Sequence, residues 1–118
     1  MSEPAFAYDG LDRVLHEKAR LSILTALSTA RDGRLFADLK DLCGLTDGNL
    51  NRHLKVLDEA GLLLVKKKHA GRSSQTRVRL SAPGRRAFVR YLDELERVLR
   101  DARATRDGRD AERAAQGA

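Results

Sequence analysis

At Gly61 the spacing of apolar residues changes, and that change limits the folds open to the chain. Upstream, Leu50, Leu54 and Leu57 recur every three or four residues, as in a helix with one buried stripe. Downstream, Thr76, Val78 and Leu80 alternate with Gln75, Arg77 and Arg79, the period of a half-buried strand. Helical spacing then returns, with Phe88, Leu92, Leu95, Leu99 and Ala102 separated by 4, 3, 4 and 3 residues. A β-hairpin thus interrupts an otherwise helical chain, which predicts an α+β fold. The 118 residues allow one domain with ragged ends.

The remaining elements follow from turn and cap residues. Residues 1–8 show no period and read as a flexible arm, and the domain proper is predicted over 9–104. Asp9 can cap a short helix carrying Leu11, Val14 and Leu15. A second helix is predicted from about Glu17 to Ala30 on Leu21, Ile23, Leu24 and Leu27, with a turn at Asp32-Gly33. Phe36, Leu39, Leu42 and Cys43 mark a third, ended by Gly44. Thr46 offers an oxygen to the free N–H groups of a fourth helix, and Asn49 is a weak counterpart of the Glu or Gln in a capping box. Gly61 suits that helix's left-handed end. The tight turn Cys43-Gly44-Leu45-Thr46 between two helices is a helix-turn-helix pattern. Residues 62–68 and 75–80 read as strands and 69–74 as their connector. Ser81 caps a long last helix with Pro83 in its first turn. Its apolar stripe suits a dimer seam, since the outer half outreaches so small a domain, although packing on the chain's own core would produce the same spacing. Residues 105–118 lack large apolar side chains and are expected to be disordered.

Charge narrows the function. The chain has 23 Lys and Arg against 17 Asp and Glu, a net +6. Lys66, Lys67, Lys68, Arg72, Arg77 and Arg79 lie in the 19 residues 62–80 with no acid among them, so the rest of the chain is balanced. A concentrated positive field suits a polyanion, because each neutralised phosphate releases counterions; a solvated basic hairpin is the plainer alternative. None of Phe6, Tyr8, Phe36, Phe88 and Tyr91 falls in the basic segment. Single-strand and RNA binders stack bases on aromatic platforms, so double-stranded DNA fits better.

The order of helices, helix-turn-helix, basic hairpin and long helix resembles a winged-helix transcriptional regulator, similar to the ArsR and MarR groups of bacterial regulators. Four blocks carry the resemblance: residues 16–24, Leu45-Thr46-Asp47-Gly48-Asn49-Leu50, Leu57-Asp58-Glu59-Ala60-Gly61, and residues 80–88 around Ser81-Ala82-Pro83-Gly84. It implies a winged helix-turn-helix that binds DNA as a homodimer and switches transcription, more often as a repressor. Relatives often carry proline near the start of the second helix, where Lys18 stands here. Metal-responsive relatives use clusters of Cys, His and carboxylates that this sequence lacks.

In such a fold the fourth helix reads bases, with Leu50, Leu54 and Leu57 turned inward. Asn49, Asn51 and Arg52 are then the candidates for base edges, and Thr46 and Lys55 for phosphates. Gly48 either lets the backbone approach a phosphate or is a tolerated first-turn glycine. Asp47 suits the helix N-terminus electrostatically. Lys67, Arg72, Arg77 and Arg79 would grip DNA through the hairpin, with Arg72 at its tip for the minor groove. The dimerisation candidates are Leu11, Val14, Leu15, Phe88, Leu92, Leu95, Leu99 and Ala102.

Other chemistry has little support. His16, His53 and His69 lie in separate elements without H-x-x-x-H spacing, so no metal and no cofactor are expected. No nucleophile elbow, phosphate-cradling glycine loop or Cys–His signature is present, so no catalytic residue is assigned. Cys43, the single cysteine, follows the apolar register and reads as a packing residue rather than a redox sensor. No apolar run approaches the ~20 residues that span a bilayer, and no leader pattern opens the chain, which points to the cytoplasm. The competing function is a protein-interaction module docking an acidic partner. It would require an apolar or aromatic anchor on residues 47–55. An effector ligand could bind between the first and last helices, but no residue cluster identifies one.

Overall fold

The structure, a computed structural model, describes residues 4–107. Its elements run α1 (Lys18–Ser28), β1 (Arg34–Leu35), α2 (Phe36–Cys43), α3 (Asp47–Glu59), β2 (Leu63–Ala70), β3 (Ser73–Leu80) and α4 (Ala82–Asp107). The strands form an antiparallel sheet in the order β1-β3-β2. This is a winged helix: α2 and α3 make the helix-turn-helix, and β2 and β3 make the wing.

Local chemistry fixes the ends of these elements. Glu17 caps α1 by accepting the Arg20 amide at 2.8 Å. At the end of α3 the amide of Leu62 donates to the Leu57 carbonyl at 3.1 Å, and that of Gly61 to the Asp58 carbonyl at 2.9 Å. This pair of bonds needs a left-handed residue, and Gly61 supplies φ +77. The Ser81 hydroxyl accepts the Gly84 amide at 2.9 Å and donates to the Gly61 carbonyl at 2.7 Å, so one side chain joins the start of α4 to the end of α3. Gly84 permits this close approach, because a Cβ there would collide with the Leu62 carbonyl oxygen.

One core lies beneath these elements. Ile23, Leu24 and Leu27 of α1, Leu39 of α2, and Leu50, Leu54 and Leu57 of α3 meet Leu63, Val78 and Leu80 of the sheet. Phe88 and Tyr91 close it from α4. Each of these side chains contributes roughly 1.5–3 kcal/mol relative to exposure. Thr76, Val78 and Leu80 do turn inward, as the alternation requires.

Several details differ from the sequence reading. Residues 9–16 form turns, not a helix: the Asp12 carboxylate accepts the Val14 amide at 2.7 Å, and the Asp12 carbonyl takes both Leu15 and His16. A side-chain acceptor inside the expected helix offers its backbone a competing partner. Leu15 still enters the core at 2% exposure. Residues 4–8, read as a flexible arm, strap along α4: the Tyr8 hydroxyl donates to Asp101 at 2.7 Å, and Arg97 donates to the Ala5 carbonyl at 3.2 Å. The hairpin connector is two residues, not six, since pairing continues to Ala70↔Ser73 and Gly71 takes φ +62 in the turn. Leu42 is exposed, because two successive steps of three drift off a 3.6-residue face. Helix α4 runs to Asp107, past the expected boundary at 104, while 1–3 and 108–118 lie outside the described residues. Among the described residues, no helix is long and apolar enough to cross a membrane.

Candidate nucleic-acid interface

Helix α3 has two unlike sides. Leu50, His53, Leu54 and Leu57 face the core. Helical steps of 100° then put Gly48, Arg52 and Lys55 on the opposite side with Asn51 at its flank, and all four are exposed. Asn49 is exposed as well. Thr46 caps the helix by accepting the Asn49 amide at 3.2 Å, which leaves its hydroxyl proton to donate outward. Asp47 pairs with Lys40 at 3.1 Å, a contact between exposed groups that pins the two helices only weakly. A Cβ built at Gly48 meets nothing within 4 Å, so the fold itself does not demand glycine there.

A polar network supports the buried side. The Arg20 guanidinium can only donate, so Nδ1 of His53, 3.3 Å away, accepts from it. Arg20 Nε also donates to the Val14 carbonyl at 2.6 Å. The Glu17 carboxylate lies 3.7 Å from His53, beyond hydrogen-bond reach. His53 is 7% exposed and part of this network.

The wing carries cations on both faces. Cross-strand partners share a face, and Lys66 stands opposite Arg77 while Leu64 stands opposite Arg79. Arg77, Arg79, Lys66 and Lys68 therefore occupy one face, and Lys67, opposite Thr76, the other. Lys66 was missing from the sequence-based set, because its pairing with Arg77 depends on a register that alternation within one strand does not reveal. Like charges placed directly opposite destabilise a hairpin, so the Lys66–Arg77 pair is kept at a cost. Arg77 donates to the Gly33 carbonyl at 3.3 Å. Asp32 also borders this face. Among the described residues, no wing cation forms an ion pair within 4.0 Å. Arg72 lies exposed in the two-residue turn at the tip.

The dimerisation candidates separate into three groups. Leu15 and Phe88 are buried in the single chain's own core and are unavailable to a second copy, a correction to the sequence reading. Leu11, Val14 and Leu95 are half-buried against that core. Leu92, Leu99 and Ala102 are exposed along α4. Tyr91 takes the core position that spacing alone gave to its neighbours, and its hydroxyl lies 2.7 Å from His16 Nδ1. Cys43 packs half-buried against the core, where burial pushes its thiol up and away from the reactive thiolate. Among the described residues, no group of three or more His, Cys, Asp or Glu is placed to hold a metal.

Comparison with known proteins agrees with this geometry. The sequence model of the family described as winged helix DNA-binding domain matches residues 19–99. The chain is 35% identical over 83 residues to an uncharacterised protein of Methanocaldococcus jannaschii, covering 70% of this chain and 89% of that one. The solved structure of a transcriptional regulator homologue from Pyrococcus horikoshii OT3 is similar at a TM-score of 0.72 and 30% identity, covering 77% of this chain and 89% of that chain. The M. tuberculosis transcriptional regulator MosR, solved in complex with DNA, shares the fold at a TM-score of 0.63 and 24% identity, over 94% of this chain and 86% of that chain.

Proposed function

The chain belongs to the winged helix DNA-binding domain family, and we propose that it binds duplex DNA as a homodimer and represses transcription by covering promoter sequence. Asn49, Asn51 and Arg52 of α3 meet base edges in the major groove, and Thr46, Gly48 and Lys55 meet phosphates. Lys66, Lys67, Arg77 and Arg79 grip the backbone from the wing, and Arg72 enters the minor groove. The protein acts in the cytoplasm and performs no catalysis. Repression follows from the resemblance to the ArsR and MarR groups. MosR supports the DNA reading, because the same fold was solved on DNA.

The observation that carries this reading is the exposed side of α3. Gly48, Asn51, Arg52 and Lys55 offer hydrogen-bond donors and positive charge, with no apolar or aromatic anchor. Docking to an acidic protein would need such an anchor. Anisotropy titrations with duplex DNA over a range of salt test the proposal. Log affinity should fall linearly with log salt, in proportion to the phosphates neutralised. Arg52→Ala should change which sequence is preferred, and Arg72→Ala should weaken all sequences alike. Salt-independent binding, or equal losses from both variants, would overturn the assignment of roles.

A further inference from the structure

Five arginines surround a cleft at the base of the wing: Arg31 from the segment after α1, Arg79 from β3, and Arg85, Arg86 and Arg90 from α4. The cleft is broadly open to solvent, with a volume of about 670 Å³, within the roughly 300–1,000 Å³ of small-molecule sites. No carboxylate lines it, and its remaining walls include Leu80, Ala82 and Val89. Val89 stays 52% exposed.

All five guanidiniums are exposed and open to a ligand. Arg20, Arg34, Arg77 and Arg97 each donate hydrogen bonds from their side chains. Among the described residues, none of the five cleft arginines makes a side-chain hydrogen bond or ion pair. Arg86 and Arg90 repel at i,i+4, and Arg85 sits in a first helical turn that disfavours cations. A solvated helix face normally offsets such charges with acids, as Glu94 does for Arg97 at 3.2 Å. Within the cleft lining no acid offsets the arginines, and Leu80, Ala82 and Val89 lie among them.

We propose that this cleft binds an organic anion, with a phosphate, sulfonate or carboxylate group held by the arginines and an apolar body on Leu80, Ala82 and Val89. A DNA backbone presents phosphate and sugar and has no use for an apolar floor, so the small anion fits better. Arg79 also belongs to the wing set, so an occupied cleft withdraws one cation from DNA. That coupling rests on the DNA-binding reading; the site itself does not.

The test uses the whole chain and three probes: 8-anilinonaphthalene-1-sulfonate, its uncharged ring counterpart N-phenyl-1-naphthylamine, and inorganic phosphate. Calorimetry should show the sulfonate binding about tenfold tighter than either of the others. The double variant Arg86→Gln, Arg90→Gln should lose about tenfold in sulfonate affinity while melting at or above the wild-type temperature, since repulsion is relieved. Amide shifts on titration should concentrate in residues 79–90. Equal binding of the neutral amine, equal binding of bare phosphate, or an unaffected double variant would overturn the proposal. So would a double variant that keeps the sulfonate but loses DNA affinity uniformly, which would place these arginines in a DNA footprint.

Discussion

The Arg20 guanidinium reaches His53 Nδ1 across 3.3 Å and so joins the first turn of α1 to the buried side of the proposed recognition helix. Leucine packing alone leaves a helix some freedom to slide along its neighbour, whereas a buried directional bond restricts it. Among the described residues, no buried side-chain nitrogen or oxygen lacks a partner, so the network is complete. Loss of one member therefore strands the other.

His53→Ala should lower stability by about 2 kcal/mol, combining a lost bond with a cavity. Arg20→Met keeps the apolar stem and removes only the donors. Urea unfolding of both single variants and the double variant should give a coupling of at least about 0.5 kcal/mol. Additive losses would mean that the bond contributes nothing beyond packing.

Glu17 adds a pH dependence to the same region. Burial pushes its carboxyl up, but the backbone N–H groups of Arg20 and Ala19 lead the opposing effects that outweigh this and hold it below the usual carboxylate range. A carboxylate depressed in the folded state stabilises above its unfolded pKa, and that stability is lost as pH falls through the folded value. Glu17→Gln should therefore melt below the wild type at neutral pH, with the gap closing below about pH 4. Thermal melts across that window check it, and a gap independent of pH would remove the charge from the explanation.

The helix-turn-helix and wing were legible because each rests on local signals: the Leu50/Leu54/Leu57 stripe, the Thr46 cap, the glycine at 61 and the alternation of 76–80. What escaped depends on contacts distant in sequence. Strand β1 is two residues long and has no period to read; it exists because Arg34 and Leu35 pair with Val78 and Arg77. The Lys66–Arg77 pairing needs the hairpin register. Leu11, Val14 and Leu15 suggested a helix, but Asp12 takes up the Val14 amide and closes a turn instead. Phe88 belongs to a stripe with Leu92 and Leu99, yet of the three only Phe88, at the end of α4 that meets β3, is buried.

Gly48 separates stability from recognition. A methyl group there meets no atom within 4 Å, and alanine is the better helix former. Gly48→Ala should leave stability unchanged or raise it by up to about 1 kcal/mol. If the backbone of this turn approaches a phosphate, the same variant should lose about tenfold in DNA affinity. Parallel melting and anisotropy measurements decide it, and undiminished binding would take Gly48 out of the interface.

Helix α4 leaves one side open. Tyr8, Ala5 and Gly10 engage Asp101, Arg97 and Glu94, so the N-terminal strap covers one side of the helix. Steps of 100° per residue put Leu92 and Leu99 on the side opposite that strap. They are 37% and 43% exposed, seven residues apart, with half-buried Leu95 between them. Two copies packed along this seam would bury leucines that water otherwise wets, and would space two α3 helices for half-sites about 34 Å apart. Leu92→Asp with Leu99→Asp should convert a dimer to a monomer by sedimentation or light scattering, with the helical signal of the single domain retained. DNA affinity should fall with it, since each monomer then holds one half-site. A wild-type chain that sediments as a monomer, or a double variant that still dimerises, would place the contact between copies elsewhere or remove it.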